Sequence, residues 1–250
     1  MKIRKILVSQ PAPTDPKSPY FEVASSNNVE LTFRPFIHVE GVEAKDFRKQ
    51  RIDFLSFTGV IFTSKVAIDH YFRLASEMRV SIPDTMKYVC ISESIAVYLQ
   101  KYIIYRKRKI SFPATGSKAT DLVDHLKKHK DEKYLFPLSD IHKTEIPEKL
   151  TAAKINYTTA ILYNTVSSDL SDINIDDYDA FVFFSPQGII SLQHNFPNFV
   201  QGEKIIGCFG PTTAQAIKDA GLRLDIEAPT KESPSITMAL DKFIKDFNKN

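Results

Sequence analysis

The chain has 250 residues, of which 43% are apolar and 25% are charged, as in a globular protein with one large domain or two smaller ones. Its 33 Lys and Arg residues nearly balance its 30 Asp and Glu residues, and the net charge of +3 is too small to indicate a nucleic-acid partner. Only 8 residues are glycine. Neither G-x-x-x-x-G-K-[ST] nor G-x-G-x-x-G occurs, which disfavours ATP hydrolysis and standard nicotinamide chemistry.

Cysteine usage and the lengths of the apolar runs bear on where the protein works. Cys90 and Cys208 lie far apart, without C-x-x-C spacing or a nearby histidine, as expected of buried thiols in a reducing compartment. No apolar run approaches the roughly 18 residues that span a membrane, and the one near the start is too short for a signal peptide. We therefore expect a cytoplasmic protein without a membrane partner.

Short apolar runs recur along the chain, and each ends at Ser, Pro or Gly. They cover residues 3–10, 59–64, 87–92, 133–137, 180–185 and 204–209. Most are followed by segments with helical spacing of apolar residues, such as Ala67, Ile68 and Tyr71 after the second run. Apolar strands that alternate with helices predict parallel sheets covered on both faces.

The chain also contains an internal repeat. Residues 57–68 resemble 178–189, residues 89–96 resemble 207–214, residues 112–123 resemble 228–239, and residues 5–9 resemble 133–137. The members of each pair are separated by similar lengths of chain, which indicates a duplicated α/β unit. The strand at 5–9 then belongs with the C-terminal copy, and the strand at 133–137 completes the inserted copy.

The repeat predicts an α/β fold of two similar lobes, each a parallel sheet flanked by helices. We predict a discontinuous domain of residues 1–35 and 167–250 and an inserted domain of residues 38–163. Two extended connecting strands, near 34–40 and 158–168, would join the lobes. Such connections allow hinge motion, so a cleft between the lobes is the expected binding site.

Five short motifs are distributed over nearly the whole chain. They are Phe-Phe-Ser-Pro-Gln-Gly at 183–188, Ile-Gly-Cys-Phe-Gly-Pro-Thr-Thr-Ala at 206–214, Ala-Pro-Thr at 228–230, Ile-Phe-Thr-Ser at 61–64 and Ala-Ile-Leu-Tyr-Asn-Thr at 160–165. Together these motifs resemble the uroporphyrinogen-III synthase family. Gly-Pro-Thr-Thr-Ala after a strand is the most specific of them.

The resemblance implies a lyase that needs no cofactor or metal. Its substrate would be hydroxymethylbilane, a linear tetrapyrrole, which loses water and closes into uroporphyrinogen III with its last pyrrole inverted. Because the free substrate closes without inversion, the main task of the enzyme would be to impose a conformation. We expect a monomer that acts on this small molecule, without nucleic acid.

The resemblance also implies that Tyr163 is the catalytic residue. Its phenol would donate a proton to the departing hydroxyl, which general acids assist by roughly 10²–10⁴-fold. Tyr163 lies on the second connecting strand and faces either the cleft or a packed surface. The alternative is a tyrosine that only packs beside Ile161.

The eight carboxylates of that substrate suit backbone N–H groups and hydroxyls at strand ends and helix N-termini. In the C-terminal copy the predicted substrate-binding residues are Ser185, Pro186, Gln187, Gly188, Gly210, Pro211, Thr212 and Thr213. Gly210 would let a carboxylate approach the backbone, and Pro211 suits a first helical turn. The alternative is that Thr212 or Thr213 caps the helix.

The inserted copy supplies the corresponding positions. Its predicted substrate-binding residues are Thr63, Ser64, Lys65, Ser92 and Ser94. Lys65 would pair with a carboxylate as a mobile charge. Glu93 is unfavourable near an anion, so either Ser92 and Ser94 bind while Glu93 faces solvent, or this copy contributes little here.

Glycine is unevenly distributed between the copies. Five of the eight glycines lie in the C-terminal copy: Gly188, Gly202, Gly207, Gly210 and Gly221. The inserted copy has Ser92 where its partner has Gly210. Close approach of a ligand to the backbone is therefore expected mainly in the C-terminal copy.

Two other patterns favour ordinary structural roles. The basic run at 105–109 is typical of a solvated sheet edge. His125 and His129 are four residues apart on a helix, but no third ligand accompanies them, which disfavours a metal site.

Two other functions stay open for the predicted two-lobed fold. One is a non-catalytic binding module of the same fold that senses an anionic or tetrapyrrole ligand, suggested by the altered segment at 92–94. The other is a hinged receptor for small anions, which normally carries an export signal.

Overall fold

The computed structural model describes residues 2–114, 116–129 and 131–249. The chain divides into a discontinuous unit, residues 1–38 with 166–250, and an inserted unit, residues 39–165. The described strands are β1 (Lys5–Val8), β2 (Glu30–Phe33), β3 (Ile37–Gly41), β4 (Gly59–Phe62), β5 (Lys87–Cys90), β6 (Ile110–Ser111), β7 (Tyr134–Ser139), β8 (Tyr157–Ser167), β9 (Ala180–Phe183), β10 (Ile205–Phe209) and β11 (Ile226–Ala228). The described α-helices are α1 (Pro19–Asn27), α2 (Ala44–Phe47), α3 (Lys65–Glu77), α4 (Glu93–Tyr98), α5 (Ala119–Leu126), α6 (Glu145–Ala152), α7 (Pro186–Asn195), α8 (Pro211–Asp219) and α9 (Ile236–Phe247).

The discontinuous unit contains a parallel sheet in the order β11-β10-β9-β1-β2. Alternate residues of β1 face opposite helical layers. Ile6 and Val8 share an apolar cluster with Leu240 of α9, whereas Leu7 shares one with Ile189 of α7. Because helices cover both faces, the strands are apolar throughout.

The inserted unit contains a sheet in the order β3-β8-β7-β4-β5-β6. The pairs β4–β5, β4–β7, β5–β6 and β7–β8 are parallel. Phe62 of β4 packs in one cluster with Ile68 of α3. Its neighbour Ile61 packs in another, with Leu122 of α5 and Leu150 of α6.

The two sheets repeat one strand order. Strands β11, β10, β9, β1 and β2 take the places in one sheet that β6, β5, β4, β7 and β8 take in the other. The predicted fold class, two similar parallel sheets flanked by helices, is confirmed. The expected pairing of β1 with the C-terminal copy is also confirmed, since β1 pairs with β9.

The two connecting stretches differ from each other. The second is one continuous strand, β8, as predicted. The first is interrupted, because β2 ends at Phe33 in one sheet and β3 begins at Ile37 in the other. Pro35 lies in this interruption and has no N–H group for a strand ladder. Within the stretch near 34–40, residues 34–36 are therefore outside any strand, and β3 begins at Ile37.

Three smaller expectations can be compared with the structure. Cys90 and Cys208 are both buried and free, as expected. The basic run at 105–109 leads into β6, which is an edge strand of its sheet. Among the described residues, every helix is too short or too polar to cross a membrane.

Candidate functional site

Ser64 and Tyr163 lie together in the inserted unit. Ser64 follows β4 and the half-buried Thr63, and it is the N-cap of α3. Its Oγ accepts a hydrogen bond from the Ala67 N–H at 3.0 Å. The Oη of Tyr163, on β8, is 3.3 Å from the same Oγ. This hydroxyl pair stands at the carboxyl end of β4, the end at which open α/β sheets bind ligands.

The surroundings of Tyr163 keep its phenol protonated. Burial raises the pKa of the Tyr163 phenol, and the hydrogen bond with Ser64 opposes that effect. The group therefore carries a proton at neutral pH and can donate it. The phenol ring packs against the imidazole of His70 on α3, with ring centroids 5.3 Å apart and planes at 22°.

His70 is a residue of this site that sequence reasoning misses. Its Nδ1 accepts a hydrogen bond from Arg73 Nε at 3.1 Å. Burial, followed by the charge of Arg73, lowers the pKa of His70. A single histidine within an amphipathic helix has no spacing that indicates a role, so only the strand facing it reveals the contact.

A carboxylate near Tyr163 is also missed from sequence. The Asp140 N–H donates to the Tyr163 carbonyl at 3.1 Å. The Oδ1 of Asp140 accepts hydrogen bonds from the Ser139 hydroxyl at 2.8 Å and from the Thr165 N–H at 2.9 Å. Burial alone would raise the pKa of Asp140, but these hydrogen bonds bring it below its usual value. The signal available in the sequence is the polar pair Ser139-Asp140, close after the apolar run at 133–137.

The remaining predicted binding residues of the inserted unit, Lys65, Ser92 and Ser94, have partners other than Tyr163. Lys65 is exposed, and its Nζ lies 5.3 Å from the ring centroid of Tyr98. Ser92 is the N-cap of α4 without a side-chain cap bond, and its Oγ is 3.0 Å from that of Ser94. Glu93 is exposed, which fits the alternative in which its carboxylate faces solvent.

In the discontinuous unit, Ser185 connects β9 to α7. It is the N-cap, and its Oγ accepts from the Gly188 N–H at 3.3 Å. Pro186 and the half-buried Gln187 open the helix. A Cβ on Gly188 would lie 3.8 Å from the Oγ of Ser9, which follows β1. Ser9 is therefore a further hydroxyl at this end of the sheet, and sequence reasoning does not single it out.

Gly210 connects β10 to α8. It is the N-cap, its φ is +98°, and the direction in which a Cβ would point is open. Pro211 is the first helical residue, as expected. Thr212 is exposed and Thr213 is buried. The alternative that one of these threonines caps the helix is wrong, because Gly210 occupies the cap position.

The described part of the chain holds no group of three or more His, Cys, Asp or Glu side chains that could bind a metal ion. His125 and His129 do approach each other, with ring centroids 5.7 Å apart. These two histidines belong to no larger group of possible metal ligands among the described residues.

Parallel strands followed by hydroxyl-bearing residues and helix N-termini, repeated in two units, define a duplicated α/β protein. Residues 20–237 match the family model described as uroporphyrinogen-III synthase HemD. The chain therefore belongs to the uroporphyrinogen-III synthase family.

Two solved structures are similar in fold. The uroporphyrinogen-III synthetase from Helicobacter pylori is 15% identical with a TM-score of 0.60, and the match covers 97% of this chain and 99% of that one. A mutant uroporphyrinogen III synthase from Thermus thermophilus is 11% identical with a TM-score of 0.52, over 99% and 100%. At these identities the likeness shows the fold alone. No curated protein sequence matches the chain.

Proposed function

We propose that the protein is an active uroporphyrinogen-III synthase, a hydro-lyase that closes hydroxymethylbilane into uroporphyrinogen III. The observation that carries the proposal is the Ser64–Tyr163 hydroxyl pair at a sheet's carboxyl end, in a chain of this family. In this pair the half-buried phenol of Tyr163 is a proton donor rather than an exposed nucleophile. This suits a reaction whose first step is departure of a hydroxyl group.

The proposed reaction needs one proton donor and a fixed substrate conformation. Tyr163 donates its proton as the C–O bond breaks, so water leaves and the substrate becomes an azafulvene cation. The terminal pyrrole attacks that carbon through its own substituted position and forms a spiro intermediate. Fragmentation and reclosure give the inverted ring, with loss of a proton from the last pyrrole. The phenolate then regains a proton, which balances the cycle.

The substrate carboxylates would bind at the helix N-termini of both units. The N-terminal end of α8 offers the positive end of the helix dipole. Gly210 gives direct access to that backbone, and Ser185 places a hydroxyl at the start of α7. Lys65 supplies a flexible cation on the inserted unit. The same binding role is proposed for Thr63, Ser92, Ser94, Pro186, Gln187, Gly188, Pro211, Thr212 and Thr213.

The domain organisation has a role in this proposal. The discontinuous domain (1–35 with 167–250) and the inserted domain (38–163) would act as lobes that close around the substrate. Closure would hold the two ends of the linear tetrapyrrole together for inversion. We expect the protein to act as a cytoplasmic monomer without a cofactor, and its mass in solution by light scattering tests the oligomeric state.

Product analysis separates turnover from binding alone. The purified protein is mixed with freshly prepared hydroxymethylbilane, the products are oxidised to porphyrins, and the type I and type III isomers are resolved by chromatography. The proposal predicts type III as the main product. Tight binding of the substrate with only type I product would instead indicate the non-catalytic binding module.

A further inference from the structure

The imidazole of His70 is held on two sides in the inserted unit. One face packs against the Tyr163 ring, with centroids 5.3 Å apart and planes at 22°. At the ring edge, Nδ1 accepts the Arg73 Nε–H at 3.1 Å. The first contact fixes the plane of the imidazole, and the second fixes its rotation within that plane.

Besides its bond to His70, the Arg73 guanidinium has two further partners. Its Nη1 donates to Glu77 at 2.8 Å and its Nη2 donates to the Val42 carbonyl at 2.8 Å. A Cβ on Gly41 would lie 2.6 Å from Nη2 and 2.8 Å from His70 Nδ1. The backbone at the end of β3 therefore lies close against the guanidinium and the imidazole, and a side chain at Gly41 would displace them. A guanidinium held this way has little freedom to release His70.

The same stretch of backbone also holds the strand that carries Tyr163. The Val42 N–H donates to the Leu162 carbonyl at 3.0 Å. Val42 thus binds Arg73 through its carbonyl and binds β8 through its N–H. The two aromatic rings are consequently positioned from one common segment, which couples the orientation of the imidazole to that of the phenol.

The hydrogen bond from Arg73 also sets the protonation of His70. Since Nδ1 accepts a hydrogen bond, the imidazole is the neutral tautomer with hydrogen on Nε2. Burial and the charge of Arg73 lower the pKa of His70, while Asp69 and Glu77 act in the opposite direction. The ring presented to Tyr163 is therefore uncharged at neutral pH.

We propose that His70 is a positioning residue for Tyr163: Arg73 holds the imidazole face against the phenol ring, and this contact keeps the Tyr163 hydroxyl beside Ser64. The inference rests on the proposed function of Tyr163 as proton donor. A histidine that only filled space would not need an arginine directed at its ring nitrogen. The role is distinct from catalysis, because His70 acts through Tyr163.

Steady-state kinetics of three variants test the positioning role. His70→Ala should lower kcat about tenfold or more, with KM changed less than about twofold, because misplacement of a catalytic group affects the chemical step. His70→Phe should recover only part of kcat, since a phenyl ring can stack on Tyr163 but offers Arg73 no acceptor. His194→Phe, at an exposed histidine of α7, is the matched control and should equal the wild type. Wild-type kcat in His70→Ala or in His70→Phe would overturn the proposal.

A nuclear magnetic resonance measurement tests the same contacts without turnover. The pKa of the His70 imidazole should lie below the ordinary histidine value, and the ring should show a nuclear Overhauser contact to the Tyr163 ring. Arg73→Met should raise the pKa of His70 and weaken that contact. If the pKa of His70 is not lowered in the wild type, or if the contact is unchanged in Arg73→Met, the positioning role is wrong. Failure of the wild type to form type III product would contradict only the proposed function.

Discussion

Tyr163 has the features that protonation of a leaving hydroxyl requires. Its phenol is half-buried, its pKa is raised by that burial, and a second hydroxyl from Ser64 lies 3.3 Å away. A phenol in such a site keeps its proton until a stronger base, such as a departing hydroxide, approaches it. Ser64 can accept from the phenol before the reaction or donate to the phenolate after it.

Removing the Tyr163 hydroxyl should therefore slow the reaction without unfolding the protein. Tyr163→Phe should lower kcat by roughly 10- to 100-fold, within the range of general-acid effects, because the phenyl ring still stacks on His70. Tyr157→Phe is a matched control on the same strand, where the hydroxyl donates to the Pro147 carbonyl at 2.9 Å. Equal turnover of Tyr163→Phe and the wild type would show that Tyr163 only packs.

Asp140 contributes a pH-dependent part of the stability. Its hydrogen bonds to Ser139 and Thr165 lower the pKa of the carboxyl in the folded state below the unfolded value. Such a group stabilises the fold above its unfolded pKa, and the contribution is lost as the pH falls through the folded pKa. The difference in unfolding free energy between wild type and Asp140→Asn should thus be larger at neutral pH than under strongly acidic conditions. Urea titrations at several pH values measure this, and a difference that grows toward acid would contradict it.

At the scale of single residues, sequence motifs point to Ser64 and Tyr163 as candidates but do not reveal the contact between them. Ser64 and Tyr163 could be named from motifs because each follows or lies on a recognisable strand. His70 and Asp140 could not, since their roles depend on which strand packs against α3 and on a polar pair after β7. Contacts between elements far apart in the chain are set by packing, which residue spacing alone does not contain.

At the scale of elements, the turns between strands and helices combine structural and functional roles. Ser64 caps α3 and also contacts Tyr163. Ser235 caps α9 in the same way, with its Oγ accepting from the Met238 N–H at 3.2 Å. A comparison of substitutions at Ser64 and Ser235 therefore separates the stability lost with an N-cap from the activity lost with the Ser64 hydroxyl.

Ser64→Ala and Ser235→Ala should each lower the free energy of unfolding by about 1 kcal/mol, the usual cost of removing an N-cap hydroxyl. Only Ser64→Ala should also lower kcat, because only that hydroxyl adjoins Tyr163. Chemical denaturation and initial-rate assays on the same preparations give both quantities. A similar loss of kcat in Ser235→Ala would show that Ser64 acts through stability alone.

The turn at Gly210 permits a second matched comparison. Gly210 and Gly221 stand at opposite ends of α8, with φ of +98° and +72°, and a Cβ at either would meet open space. Substitution by alanine at each should cost about 1 kcal/mol of stability, since L residues are strained in this region. Gly210→Ala should in addition raise KM, because a methyl group would keep a carboxylate from the backbone. Equal KM values for the two variants would remove Gly210 from the binding site.

Element positions followed from the sequence because each sheet is covered on both faces. The strands are then continuous apolar runs that end at Ser, Pro or Gly, and those ends are visible without any structure. The break between β2 and β3 is less visible from the apolar pattern, since residues 34–36 separate the two strands, which lie in different sheets.

At the scale of the whole molecule, duplication explains both the fold and the uneven distribution of polar groups. Two copies of one strand order place equivalent turns at Ser64 and Ser185, and at Ser92 and Gly210. The copies have diverged at the second of these turns. The discontinuous unit has Gly210 with an open Cβ direction at this turn, whereas the inserted unit has Ser92.

The proposed function requires that the protein itself direct ring closure toward the inverted isomer. This is measured by the ratio of type III to type I product from hydroxymethylbilane as the protein concentration is raised at fixed substrate. Because spontaneous closure gives type I and competes with the enzyme, the type III fraction should rise with protein concentration until it dominates. Tyr163→Phe should need a higher concentration to reach the same ratio. A type I product at every concentration of the folded protein would contradict the proposed function.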